Sequence, residues 1–226
     1  KFMAGNRQIV LATGEVYHVF NRGVDRRPIF TSKYEYQHAL DIINFYRFTA
    51  LPMRFSKFKL LPKTDRYQLF SKIASTHMPQ VEIIAFCLMS NHFHFLIKQT
   101  CDNGISNFVS RFCNSHSKYF NTRHNRVGHL FQGPFKAVRV ETEEQLVHLS
   151  RYIHLNPVSS FLTPRSGLDK YLWSSYLEYL GLKNNGIVNS QSVISLFKSI
   201  EEYRSFVNDH IDYAQKLERM KHLIFD

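Results

Sequence analysis

The sequence predicts an α+β protein: a ferredoxin-like (RRM-like) sandwich with a mostly antiparallel sheet, helices on one face, and a helical C-terminal extension. Three observations carry this expectation. Segments alternating with period two interleave with segments of helical period. They follow the order strand, helix, strand, strand, helix, strand, helix. Beyond about residue 161 helical patterns dominate. Residues 1–160 are therefore expected to form the sheet domain, and residues 161–226 an extension packed on it.

The first strand is read in Gly14–Phe20, which alternates and then meets the turn signal Asn21-Arg22-Gly23. Ser32 to about Phe48 follows, with Tyr36, Ala39, Leu40, Ile43 and Tyr46 at helical spacing. Residues 49–80 mix Lys, Arg, Pro and Phe without period and read as an inserted loop or short helices. Val81–Met89 is an apolar run of strand length, and Ser90-Asn91 turns it into His92–Lys98, a hairpin expected at the sheet centre. Gly104 opens a helix whose face is Ile105, Phe108, Val109, Phe112, Tyr119 and Phe120, ending near Arg123. Leu130–Val140 reads as a strand broken by Gly133-Pro134. Thr142-Glu-Glu-Gln145 is a capping box that starts the third helix, and Pro157 is expected to stop it. Amphipathic stretches at Ser190–Phe197 and Glu201–Ile224 make up the extension.

The chain has 226 residues, is rich in phenylalanine and carries a net charge of +11. Its aromatic content argues against disorder. The positive excess is +8 over residues 1–100, +3 over 101–160 and zero beyond. A field of that sign over the sheet domain favours a polyanionic partner, most simply nucleic acid. Cys87, Cys101 and Cys113 are odd in number and lack Cys-x-x-Cys spacing, which disfavours a disulfide framework and a zinc knuckle. No apolar run approaches the eighteen or so residues of a membrane span and the first residues show no signal-peptide pattern, so a cytoplasmic location is expected.

Strand alternation directs His92 and His94 to one face, while Phe93, Phe95 and Ile97 face the other way. Helix spacing puts Tyr152 and Asn156 on one face as well. Two neutral imidazoles and one amide oxygen would hold a divalent metal with positions left open for a phosphate oxygen. Two-histidine ligation points toward Mn²⁺ or another transition metal more than toward Mg²⁺, whereas a phosphate-filled, partly hydrated shell also suits Mg²⁺. His148 and His154 are alternative third ligands. A tyrosine phenol, with an ordinary pKa near 10, needs a metal or cations nearby to attack a phosphodiester at neutral pH. The cations expected to contact phosphates are Arg22, Arg26, Arg27, Lys118, Arg123, Arg126, Lys136 and Arg139.

Four blocks then carry a resemblance. Tyr17-His-Val-Phe-Asn-Arg-Gly23, Met89-Ser-Asn-His-Phe-His-Phe-Leu-Ile97, Gly128-His-Leu-Phe-Gln132 with Phe135-Lys136, and Arg151-Tyr-Ile-His-Leu-Asn-Pro-Val158 resemble the single-tyrosine HUH transposases, and among them the REP-associated tyrosine transposases. The resemblance covers roughly residues 12–180. It implies an enzyme that binds single-stranded DNA hairpins, cuts one strand and forms a 5′-phosphotyrosine link. It also implies His92 and His94 as metal ligands, Asn156 at the third-ligand position, Tyr152 as nucleophile, and a monomer rather than a dimer with shared sites. His154 stands where relatives often have Glu. The rival expectations are a non-cutting hairpin DNA- or RNA-binding module on the same fold, and a metal hydrolase that activates water.

Overall fold

The computed structural model describes residues 10–225, with side chains described to Met220. The expected outer limits of the two units, residues 1 and 226, lie outside the described residues. Four strands, β1 (Val16–Arg22), β2 (Val81–Met89), β3 (His92–Gln99) and β4 (Lys136–Val140), form one antiparallel sheet in the order β2-β3-β1-β4. The helices of the sheet region are α1 (Lys33–Tyr46), α2 (Phe55–Phe58), α3 (Lys63–Thr76), α4 (Gly104–Arg123) and α5 (Glu143–Ser159). The extension adds α6 (Tyr176–Tyr179), α7 (Gln191–Ile194), α8 (Ile200–Asn208) and α9 (Ile211–Phe225). No helix among the described residues is long and apolar enough to cross a membrane.

The α+β class follows the alternation read from the sequence, with two differences in arrangement. The β2–β3 hairpin occupies one side of the sheet, not its centre, and β1 lies between β3 and β4. Period-two patterning specifies which face a side chain takes but not which strand lies alongside. The second difference concerns the two faces. Tyr17, Val19, Phe86, Leu88, Phe93, Phe95 and Ile97 pack beneath α1 and α4 in one apolar cluster. The opposite face is not bare: Ala85, Cys87, Met89, Leu96 and Val140 pack against Ile153, Leu155 and Val158 of α5 and against Tyr176, Tyr179, Tyr203 and Val207 of the extension. A bulge in β2 between Ile83 and Ala85 turns both Ile84 and Ala85 toward that second cluster. The half of this face that α5 leaves uncovered carries the candidate site.

The Thr142 hydroxyl caps α5 by accepting from the Gln145 backbone N–H at 3.1 Å, and Gln145 Oε1 accepts in turn from the Glu141 N–H at 2.8 Å. Helix α5 continues past Pro157 to Ser159, where the sequence predicts a stop. The proline removes one helical hydrogen bond close to the end, and the last turn is closed by the Ser160 N–H and hydroxyl, both donating to the Asn156 carbonyl at 3.1 and 2.6 Å. On the far side of α5, His154 is fully buried. Its Nδ1 lies 2.7 Å from the Tyr203 hydroxyl and its Nε2 2.7 Å from Ser175 Oγ, which also accepts from the Phe86 N–H at 2.9 Å. This polar chain joins β2, α5 and α8 through the apolar cluster.

Candidate catalytic site

His92 and His94 project from the same side of β3, with ring centroids 4.9 Å apart and planes at 89°. Phe93 and Phe95 between and beyond them are completely buried under α4. They offer no platform on which bases could stack, which removes the basis for an RNA-binding module built on these strand aromatics.

The His92 ring is hydrogen-bonded to two asparagines, Asn91 and Asn156. Asn91 Nδ2 donates to the Arg26 carbonyl at 3.1 Å, which turns Asn91 Oδ1 toward His92 Nδ1 at 2.6 Å. An amide oxygen only accepts, so Nδ1 donates to Asn91 in the tautomer whose Nε2 keeps its lone pair. Gly23 makes this arrangement possible: a Cβ there would collide with the Arg27 carbonyl oxygen, and the Gly23 N–H donates to the Asn91 carbonyl at 2.8 Å. His94 Nδ1 lies 2.9 Å from Nε2 of His18 on β1. Burial holds all three imidazoles below their ordinary pKa: His94 well below, His18 at about 4, and His92 lowered by burial and by the Arg22 charge against a hydrogen bond to Asn156 and the carboxylate of Glu218. All three are neutral at pH 7, the form that can coordinate a metal.

Helix α5 brings Tyr152 and Asn156 to this face one turn apart. The Tyr152 ring stands edge-on to His94, with centroids 5.4 Å apart and planes at 80°, and edge-on to His18 at 6.0 Å. It is 44% exposed, so the ring can be reached from solvent. Asn156 is buried, and its Nδ2 donates to the Tyr152 carbonyl at 2.8 Å, leaving Oδ1 to accept elsewhere. Among the described residues no three His, Cys, Asp or Glu side chains converge to hold a metal. Asn156, which hydrogen-bonds His92, brings an amide oxygen to the same face. Two neutral imidazoles and one amide oxygen fit a divalent ion whose other positions remain open. His148 is directed to Arg151, Glu144 and Phe206, and His154 spends both ring nitrogens on Tyr203 and Ser175. Neither alternative third ligand faces the site.

Residues 53–156, which include both histidines, Tyr152 and Asn156, match the model of the family described as "Transposase IS200 like". The match is to that stretch, a little under half of the chain. A solved structure described as a REP-associated tyrosine transposase bound to a REP hairpin is similar at 17% identity and a TM-score of 0.49, covering 82% of this chain and 89% of that one. No curated protein matches the sequence.

The basic residues expected to contact phosphates do not form one surface. Arg22 is paired with His92 across β1 and β3, and Lys136 is paired with Phe20 across β1 and β4, so both flank the site. Arg26 and Arg27 lie in the turn that Asn91 anchors, where Arg27 is 3.7 Å from Asp25. Lys118 and Arg123 instead line a cleft of about 990 Å³ between α1, α4 and the 51–56 segment, on the other side of the sheet. Arg126 is held over Phe120 at the end of α4, and Arg139 is paired with Glu15 at 2.9 Å. His18 and Asn91 belong to the site but were not singled out from sequence. The alternation of Tyr17-His18-Val19-Phe20 places His18 opposite the buried Tyr17 and Val19, and that signal needs only the knowledge that β1 lies beside β3.

Proposed function

We propose that the chain is a divalent-metal-dependent single-stranded DNA endonuclease and strand transferase that cuts near DNA hairpins through a 5′-phosphotyrosine intermediate. The observation that carries this reading is the exposed Tyr152 phenol standing over His94 while Asn156, one turn along α5, meets His92. His92, His94 and Asn156 would hold Mg²⁺ or Mn²⁺. A bound divalent ion would polarise the scissile phosphate and stabilise negative charge developing on it.

The chain's own groups account for the rest. Arg22 and Lys136 draw the phosphate backbone to the site face, and the remaining cations of the basic loop extend that field along the strand. The Tyr152 oxygen attacks phosphorus and loses its proton, the bond from phosphorus to the 3′-oxygen breaks, and the departing 3′-oxygen takes up a proton. The product ester keeps the energy of the diester, so a free 3′-hydroxyl can attack it and restore a continuous strand without a nucleotide cofactor. Because the phenol stands over a histidine of its own chain, one copy holds a complete set of reacting groups, and we take the active species to be a monomer. We assign residues 1–160 to the nuclease domain and residues 161–226 to an extension packed on it, acting on cytoplasmic DNA.

The reading is tested on denaturing gels with labelled single-stranded hairpin DNA. A labelled protein band should form with Mn²⁺ or Mg²⁺ and disappear with chelator or in Tyr152→Phe. DNA cleaved to free ends with no protein-linked product would replace it with a hydrolase that activates water, and binding without cleavage across several hairpins would replace it with a binding module.

A further inference from the structure

We propose that His18 is a positioning residue that accepts the Nδ1 hydrogen of His94 and so holds His94 with its Nε2 lone pair free to bind a metal. This rests on the reading of His92 and His94 as ligands and adds a residue to it. His18 faces the site because β1 alternates, with Tyr17 and Val19 buried on the opposite side of the sheet. It is 8% exposed and packed between Phe20, with ring centroids 5.0 Å apart, and His94, with centroids 5.1 Å apart and planes at 21°. Tyr152 closes the third side.

At 2.9 Å the two facing nitrogens, His18 Nε2 and His94 Nδ1, share one hydrogen. A neutral imidazole has a single N–H. If His94 donates, its Nε2 carries a lone pair, and the ring presents the same nitrogen as His92 does when its Nδ1 donates to Asn91. If His18 donates, His94 carries its own hydrogen on Nε2 and cannot be a ligand. The position of one hydrogen thus decides whether His94 can coordinate, and His18 is the group that receives it. Partners of this kind orient a coordinating histidine and fix its tautomer, and their loss weakens metal affinity about 10- to 100-fold.

The test is Mn²⁺ binding measured by calorimetry on the full chain. His18→Phe keeps a flat ring without an acceptor, whereas His18→Gln keeps an oxygen at similar reach. His18→Phe should weaken Mn²⁺ binding about 10- to 100-fold and His18→Gln should restore most of it. Equal affinity in wild type, His18→Phe and His18→Gln would overturn the assignment. Undiminished Mn²⁺ binding in His94→Ala, or no Mn²⁺ binding by wild type, would instead overturn the reading of the ligands. Nitrogen-15 NMR of the metal-free wild type tests the assignment without any variant: the hydrogen of His94 should be on Nδ1, and a hydrogen on Nε2 would refute it.

Discussion

His154 gives the protein a pH-dependent stability that can be isolated by a single substitution. It is fully buried, and burial lowers its pKa to about 3, from an ordinary value of 6.5. Between those values the unfolded chain binds a proton that the folded chain does not, so stability is complete above about pH 6.5 and is lost as the pH falls through the window. Between pH 7 and pH 5 this one residue should remove about 2 kcal/mol. His154→Gln abolishes the titration and retains an amide that can hydrogen bond to Tyr203 or Ser175. The variant should be less stable at pH 7 by about 1 kcal/mol, since one hydrogen bond is lost while Tyr203 keeps Ser150 and Ser175 keeps Phe86. Urea unfolding of both proteins at pH 7 and pH 5 separates the two effects. The wild type should lose about 2 kcal/mol more than the variant over that interval. Equal losses would show that His154 titrates alike in the folded and unfolded chain, and the burial argument would fail.

The remaining expectations concern the cap, a buried carboxylate and the phosphate contacts. Thr142→Ala should lower stability by about 1 kcal/mol in thermal or urea unfolding, because the Gln145 N–H loses its acceptor. The Glu35 carboxylate is fully buried, accepts from the Thr31 N–H and hydroxyl, and pairs with His124 at 2.6 Å and Arg123 at 3.5 Å. Glu35→Gln should therefore cost about 2 kcal/mol, measured by urea unfolding at pH 7. For binding to single-stranded DNA, Arg22→Ala should reduce the log-log salt slope by about 0.7. Arg139→Ala should change that slope less, since Arg139 is already paired with Glu15.

Much of the architecture was legible wherever a local signal suffices. Helix α4 begins at Gly104 and ends at Arg123 as its apolar period implies, because Ile105, Phe108, Val109, Phe112 and Phe120 all reach the core. Thr142 and Gln145 form the capping box, and Ser90-Asn91 turns the β2–β3 hairpin as expected. Helix α3 was harder to read, since Ile73 is its only buried residue and most of its length is charged or polar. The continuation of α5 through Pro157 depends on Ser160, Asn156 and the packing of Val158, which lie beyond the reach of a local proline rule. The lateral order of the strands, and with it the contact of His18 with His94, depends on pairing between segments some eighty residues apart. The same holds for His154: its spacing near Tyr152 suggests the site, but its ring is directed to Tyr203 and Ser175 on the other side of the helix.

The measurement that bears most directly on the proposed chemistry is peptide mapping of the protein–DNA adduct by mass spectrometry after nuclease digestion. The account predicts a nucleotide remnant joined through its 5′-phosphate to the peptide that contains Tyr152, formed only when Mg²⁺ or Mn²⁺ is present. A remnant on any other residue, or cleaved DNA carrying free 5′-phosphates and no modified peptide, would contradict it.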